Sequence, residues 1–255
     1  MLLRGVHFIE WGDMSQFGYA LRELSAAQKS AKGVSLYSRY VNRPAGRILA
    51  AAGYQLKLTP NQVTLISAAV TFAGVVMIAT LKPSPAAALG IVAALGLGFA
   101  LDSADGQLAR LTGAGSAAGE WLDHVVDCAK MLAVHMAVLL AFYRHFGFSD
   151  PVFLLLPVAF QFAAVMVFFG GILTDQLKRA ERLRNGAGRP VAAPVSTLRA
   201  VALLPVDYGV FCAAFLLFGS RDLFVAAYCA LLAAHLLFMV AFLVKWYREL
   251  SVPVR

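Results

Sequence analysis

Long apolar runs alternate with short polar breaks along this chain. The runs are Val63–Leu81, Ala86–Leu101, Met131–Tyr143, Val152–Leu173, Val201–Phe218 and Leu223–Val244. Several reach the roughly 20 residues that a helix needs to cross a bilayer. The two shorter runs, starting at 86 and 131, are extended by the polar stretches between them. The pattern predicts an all-α polytopic membrane protein with six transmembrane helices.

The breaks carry helix-end chemistry. Thr59-Pro60-Asn61-Gln62 supplies an N-cap, a proline at the first helical position and a capping-box partner, so the first span starts there. Asn61 either serves that cap or faces a site. Lys82-Pro83-Ser84-Pro85 and Gly113-Ala114-Gly115-Ser116 are turns. Ahead of the first span, Phe17, Leu21 and Leu24 stand at helical spacing, and Ser35–Leu56 mixes basic with apolar residues. Both stretches suit helical segments lying at the interface. The expected division is 1–57 as a cytoplasmic or interfacial N-terminal segment and 58–250 as a six-helix transmembrane domain. Residues 1–57 lack a long apolar stretch with a small-residue cleavage site, so no cleaved signal peptide is expected.

Composition agrees. The chain is 60% hydrophobic and 14% charged, against about 25% charged in soluble domains. Six spans would put Lys82, Arg144 and Arg221 on one side and Lys130 inside a span. The other 18 of the 22 basic residues fall on the side of both termini. The positive-inside rule then predicts an inner-membrane protein with both termini in the cytosol. This asymmetry and anionic headgroups account for the net charge of +8, and no nucleic-acid partner is needed. Cys128, Cys212 and Cys229 show no ligand spacing and read as small buried residues.

Against this apolar background, five of the 14 acidic residues fall between 102 and 127, four of them aspartates. Asp102 and Asp105 stand at i and i+3, and Asp123 and Asp127 at i and i+4, so each pair shares a helical face. Four carboxylates this close at a membrane edge require cations, and all-oxygen donors suit Mg²⁺ or Mn²⁺. A stripe of small residues, Gly90, Ala94 and Gly98, leads to Asp102 and Gly106. It predicts close helix packing along its first part. At Gly106 it predicts the approach of something bulky to the backbone.

The full spacing is Asp102-x2-Asp105-Gly106-x2-Ala109-Arg110-x8-Gly119-x3-Asp123-x3-Asp127. It resembles the signature of the CDP-alcohol phosphotransferase (CDP-alcohol phosphatidyltransferase) family, with every signature position filled. The resemblance implies a membrane enzyme that passes a phosphate-linked group from a CDP-alcohol to a hydroxyl and releases CMP. It implies Asp102, Asp105, Asp123 and Asp127 as ligands of two metal ions, with Asp127 as the catalytic base. Gly106, Ala109 and Arg110 match positions that accommodate the cytidine nucleotide. Family members are usually homodimers.

The expected function is phospholipid biosynthesis, with CDP-diacylglycerol as donor and a small polar alcohol as acceptor. Ser38-Arg39-Tyr40-Val41-Asn42-Arg43-Pro44 is similar to the segment that leads into family members joining CDP-inositol to inositol phosphate, which keeps a soluble donor as the alternative. Arg179 and Arg189 are candidates for an acceptor phosphate, or anchors. Lys130 either neutralises Asp127, touches a phosphate or pairs structurally. A cation transporter is the alternative of another class. Its acids would sit near the midplane, and Arg110 would repel its cargo.

Overall fold

The computed structural model describes residues 13–26, 34–186 and 196–251. These residues are helical with no strand among them. The helices are α1 (Asp13–Ala26), α2 (Arg43–Gln55), α3 (Pro60–Thr80), α4 (Pro85–Thr112), α5 (Ala117–Ala141), α6 (Leu155–Arg184), α7 (Thr197–Ala202), α8 (Tyr208–Ala214) and α9 (Arg221–Ser251). A π-helical turn, Ser38–Asn42, leads into α2, and another, Phe142–Phe146, extends α5.

Five helical stretches are long and apolar enough to span a membrane: Pro60–Thr80, Pro85–Thr112, Ala117–Phe146, Pro151–Arg184 and Arg221–Ser251. The expected fifth span, Val201–Phe218, is instead broken. Its pieces are α7, a 3-10 turn at Leu204–Val206, α8 and a 3-10 turn at Phe215–Leu217. Pro205 explains the break, since it offers no N–H and disfavours helix at the residue before it. Asp207 restarts the helix by accepting from the Gly209 N–H at 2.7 Å. The Ser35 and Ser38 hydroxyls also donate to Asp207, Ser38 at 2.6 Å, which stitches the N-terminal segment to the break. The apolar helical stretch Tyr208–Leu217 rises about 15 Å, half of a bilayer's hydrocarbon core of about 30 Å.

Packing follows the small-residue stripe. A Cβ on Gly98 would stand 2.1 Å from Thr71 Oγ1, and one on Gly74 would stand 3.1 Å from the Ala94 side chain. The backbones of α3 and α4 are therefore in close approach along this seam. The α3 start is capped as expected: Gln62 Oε1 accepts from the Thr59 N–H at 2.8 Å, and Thr59 Oγ1 accepts from the Gln62 N–H at 3.3 Å.

The two N-terminal segments are helical, as expected, and α1 is packed. Ala20 and Leu24 are buried against Ala50, Ala51, Val63, Ala104 and Leu108. Gly46 lets α2 press onto α4, since a Cβ there would meet Ser103 Oγ at 2.7 Å. Gln107 Nε2 then donates to the Arg43 carbonyl at 3.1 Å.

At the opposite end of α5, rings fill the interior. Phe142, Phe146, Phe211, Phe215, Phe218, Phe224 and Tyr228 are all buried in one cluster. Tyr228 places its hydroxyl 2.8 Å from His135 Nδ1. His235 is a satisfied histidine, with Nδ1 2.9 Å from the Leu231 carbonyl.

Candidate metal and nucleotide site

The site is built on the α4–α5 hairpin. Gly113, at φ 66°, ends α4 in the left-handed region, where a side chain would be strained. Ser116 caps α5 by accepting from the Gly119 N–H at 3.0 Å. The tight turn folds the two aspartate pairs back toward each other.

One oxygen from each of Asp102, Asp123 and Asp127 lies within 4.8 Å of the others. Ligands of one Mg²⁺ at about 2.1 Å span about 4.2 Å across the ion. The three hard donors therefore fit a divalent cation in chemistry and closely in spacing. Asp105 stands apart from this convergence. It is buried, and it accepts from the Thr64 hydroxyl at 2.6 Å and from the Gly106 N–H at 2.5 Å.

Lys130 is drawn into the cluster. Its Nζ lies 2.5 Å from Asp102 Oδ1, 3.3 Å from Asp127 Oδ1 and 3.0 Å from Ser67 Oγ. The Ser67 hydroxyl in turn donates to the Gly98 carbonyl at 2.8 Å. Three acceptors use the three protons of the ammonium.

Two recesses adjoin the aspartates. The larger, about 560 Å³, is lined by Asn61, Thr64, Asp105, Gly106, Ala109, Arg110 and Asp123, with the 114–117 turn across its rim. The smaller, about 200 Å³, is lined by Arg43, Asp102, Ser103 and Gln107 and shares Asp105, Gly106, Arg110 and Asp123. A Cβ on Gly106 would meet only Arg110 Nη1, at 3.5 Å. The backbone there stays open to a large group. Asn61 faces the site, since a Cβ on Gly119 would stand 3.1 Å from its Oδ1.

The geometry thus brings together Asn61, Asp102, Asp105, Gly106, Ala109, Arg110, Asp123, Asp127 and Lys130. Arg179 is at the outer rim, 3.3 Å from Glu120. Arg189 lies outside the described residues. In the sequence Arg43 reads as a basic residue of the N-terminal segment and as part of the Ser38–Pro44 stretch, not as a lining residue, yet Gly46 and Gln107 hold α2 so that it lines the smaller recess. Burial, and then neighbouring Arg39, pull its pKa below the ordinary arginine value. A bound anion would relieve both. Thr64 and Ser67 were also missed, because hydroxyls inside an apolar helix look like packing in the sequence.

The model of the CDP-alcohol phosphatidyltransferase family matches residues 57–247. The chain belongs to this family. It is also similar to the crystal structure of Mycobacterium tuberculosis phosphatidylinositol phosphate synthase in complex with manganese and citrate. That match has 16% identity and a TM-score of 0.54, and it covers 81% of this chain and 89% of that one. At this identity the likeness carries the fold alone. No curated protein matches the chain. For a CDP-alcohol phosphatidyltransferase, a hard-donor cluster beside a recess with two arginines is the expected kind of site: phosphoryl transfer is mostly positioning and electrostatics.

Proposed function

We propose that this phosphatidyltransferase moves a phosphatidyl group from CDP-diacylglycerol to a small polar alcohol and releases CMP. The observation that carries this is the convergence of Asp102, Asp123 and Asp127 beside recesses lined by Arg43 and Arg110.

Asp102, Asp123 and Asp127, with Asp105 beside them, would hold Mg²⁺ or Mn²⁺, which supplies a clamp and Lewis acid for the donor pyrophosphate. Arg110 and Arg43 would pair with phosphate oxygens, Arg110 through a planar fork suited to two of them. Gly106 and Ala109 leave room for the cytidine, and Asn61 offers a hydrogen-bonding edge at the same wall. Asp127 takes the proton of the acceptor hydroxyl. The acceptor oxygen bonds to the phosphorus that carries the diacylglycerol, and the bond from that phosphorus to the CMP oxygen breaks. The electron pair leaves with CMP. Arg179, and Arg189 in the basic connection after α6, would receive a phosphorylated acceptor.

The spread of basic residues supports a site at the cytosolic face of the inner membrane. Residues 58–250 form the catalytic domain, the described helices ahead of Pro60 lie at the interface, and two copies associate as a homodimer. The Ser38–Pro44 segment favours a second donor, CDP-inositol, with inositol phosphate as acceptor. The test is CMP release by purified protein with Mg²⁺. Each donor is offered with serine, glycerol phosphate or inositol phosphate, in wild type and Asp127→Asn. Turnover with one donor–acceptor pair, lost with EDTA and in the variant, is expected. Normal turnover by Asp127→Asn would remove the base assignment. Silence with every pair would remove the substrate assignment.

A further inference from the structure

We infer that the Tyr208 hydroxyl holds the acceptor alcohol in line with the donor phosphorus, at the mouth of a separate cavity behind the aspartates. The inference rests on the proposed role of Asp127 as base, and it names the group that presents the acceptor to that base.

The cavity, about 440 Å³, lies between α5, α6, α8 and α9 and shares no lining residue with the two recesses. The aspartates stand between it and them. Along α4, Gly106 and Arg110 line both recesses. Asp102 lies one turn away from Gly106, and Phe99, a further turn on, packs edge-on against the Tyr208 ring with centroids 5.1 Å apart. Along α5, Gly119 and Asp123 line the larger recess, Asp127 comes next, and Met131 and His135, one and two turns on, line the cavity. Tyr208 lines it too, close enough for the charges of Asp102 and Asp127 to act on it.

Among the described polar groups of that lining, the Tyr208 hydroxyl is the one left over. Asp207 accepts from Ser35 and Ser38, His135 Nδ1 is 2.8 Å from the Tyr228 hydroxyl, and His235 Nδ1 is 2.9 Å from the Leu231 carbonyl. The Tyr208 hydroxyl is buried without a nitrogen or oxygen partner. The Cys212 thiol, one turn on, is only a weak substitute. An unpaired buried hydroxyl opposes folding, yet the chain fixes it there. Asp207 caps α8, and a Cβ on Gly209 would run into the Tyr37 ring. The break in the fifth apolar stretch is what delivers this hydroxyl.

Phosphoryl transfer sets the attacking and leaving oxygens roughly in line through phosphorus. CMP leaves toward the recess of Gly106, Ala109 and Arg110, so the acceptor oxygen attacks from the opposite side, where Tyr208 stands. That oxygen accepts a hydrogen bond from the Tyr208 hydroxyl, gives its own proton to Asp127 and turns a lone pair to phosphorus. Tyr208 keeps its proton. Among the described residues the cavity lining holds no lysine or arginine, so it suits the uncharged part of the acceptor.

The experiment compares wild type with Tyr208→Phe as purified full chains in detergent with Mg²⁺, using the donor–acceptor pair that turns over fastest. Acceptor and donor are varied separately, and the melting midpoint is recorded. In Tyr208→Phe, kcat/KM for the acceptor should fall tenfold or more, the loss of one hydrogen bond in the transition state. The donor KM should stay unchanged, and the midpoint should hold or rise because no folded-state bond is removed. An acceptor kcat/KM equal to wild type would overturn the role of Tyr208 and leave the reaction in place. A lower midpoint, failure to fold, or an equal loss for donor and acceptor would overturn it too, since the hydroxyl would then be structural. No turnover by wild type with any pair would overturn the proposed reaction and this inference with it.

Discussion

The two ends of the α3–α4–α5 unit are made of opposite materials. At the hairpin end, Asp102, Asp105, Asp127, Lys130, Thr64 and Ser67 meet through hydrogen bonds and charge. At the far end, Phe142, Phe146, Phe215, Phe218, Phe224 and Tyr228 pack at tilted angles, with ring centroids 4.7 Å apart for Phe142–Phe146 and 5.2 Å for Phe215–Phe224. Burying carboxylates in low dielectric opposes folding unless cations repay it. Packed rings favour folding with no such condition. The difference teaches that one end carries chemistry and the other carries stability. The same helices join them, so each end is tested against the other.

The sharpest break is Asp123→Asn. Removing one carboxylate from the cluster takes away several kcal/mol of charge stabilisation, which is roughly a 10²–10³-fold slower release of CMP. Asp123 is partly exposed at 37% of its side chain, and losing it relieves repulsion among like charges. The thermal midpoint in detergent should hold or rise. A large drop in midpoint with activity per folded molecule intact would reverse the division between the ends.

Phe224→Ala is the complementary variant. Phe224 is fully buried and touches Phe142, Phe146, Phe215, Phe218 and Tyr228. Deleting such a ring costs about 3–5 kcal/mol, seen as a lower melting midpoint. The CMP-release rate per folded molecule, at a temperature well below that midpoint, should match wild type. An equal loss of rate would mean that the aromatic end positions the site after all.

Mn²⁺ should separate the ends by a smaller amount. An ion at a hundred times its Kd stabilises the folded chain by about 2.7 kcal/mol. The midpoint should rise with Mn²⁺ in wild type and in Phe224→Ala, and EDTA should reverse it. In Asp123→Asn the rise should shrink sharply. An equal rise in all three proteins would place the ion outside the cluster.

How much of this was legible in the sequence differs between the ends. The aspartate positions were readable because helical spacing fixes which residues share a face, and the Gly113–Ser116 turn fixes that the two faces meet. The capping box at Thr59 and the seam at Gly98 were readable for the same local reason. Lys130 was singled out for its nearness to Asp127, but its bond to Asp102, 28 positions earlier, depends on how α4 and α5 meet. Arg43 reaches the smaller recess only because α2 crosses α4 at Gly46, which no local pattern encodes. The fifth apolar stretch was legible, but its break was not, because an apolar run shows hydrophobicity and hides a break. Pro205 and Asp207 were the signals, and their meaning came from Ser35 and Ser38 far away in the chain. The aromatic end was legible as apolar and no further, since ring contacts between α5, α8 and α9 are tertiary.

The smallest expected effect tests whether the hairpin end extends to the start of α3. Thr59→Ala removes the oxygen that accepts from the Gln62 N–H, while Gln62 Oε1 keeps its bond from the Thr59 N–H. A lost N-cap of this kind costs about 1 kcal/mol, and the cap is exposed, so the drop in midpoint should sit at the low end. Asn61 is the second residue of the same helix and lines the larger recess. Fraying there should loosen the wall against the nucleotide. The expected result is a raised KM for the CDP-linked donor with kcat nearly unchanged, and Thr59→Ser should restore both. A kcat loss without a KM change would mean that the start of α3 aligns the aspartates, and the polar end would then extend further along α3 than Thr64 and Ser67.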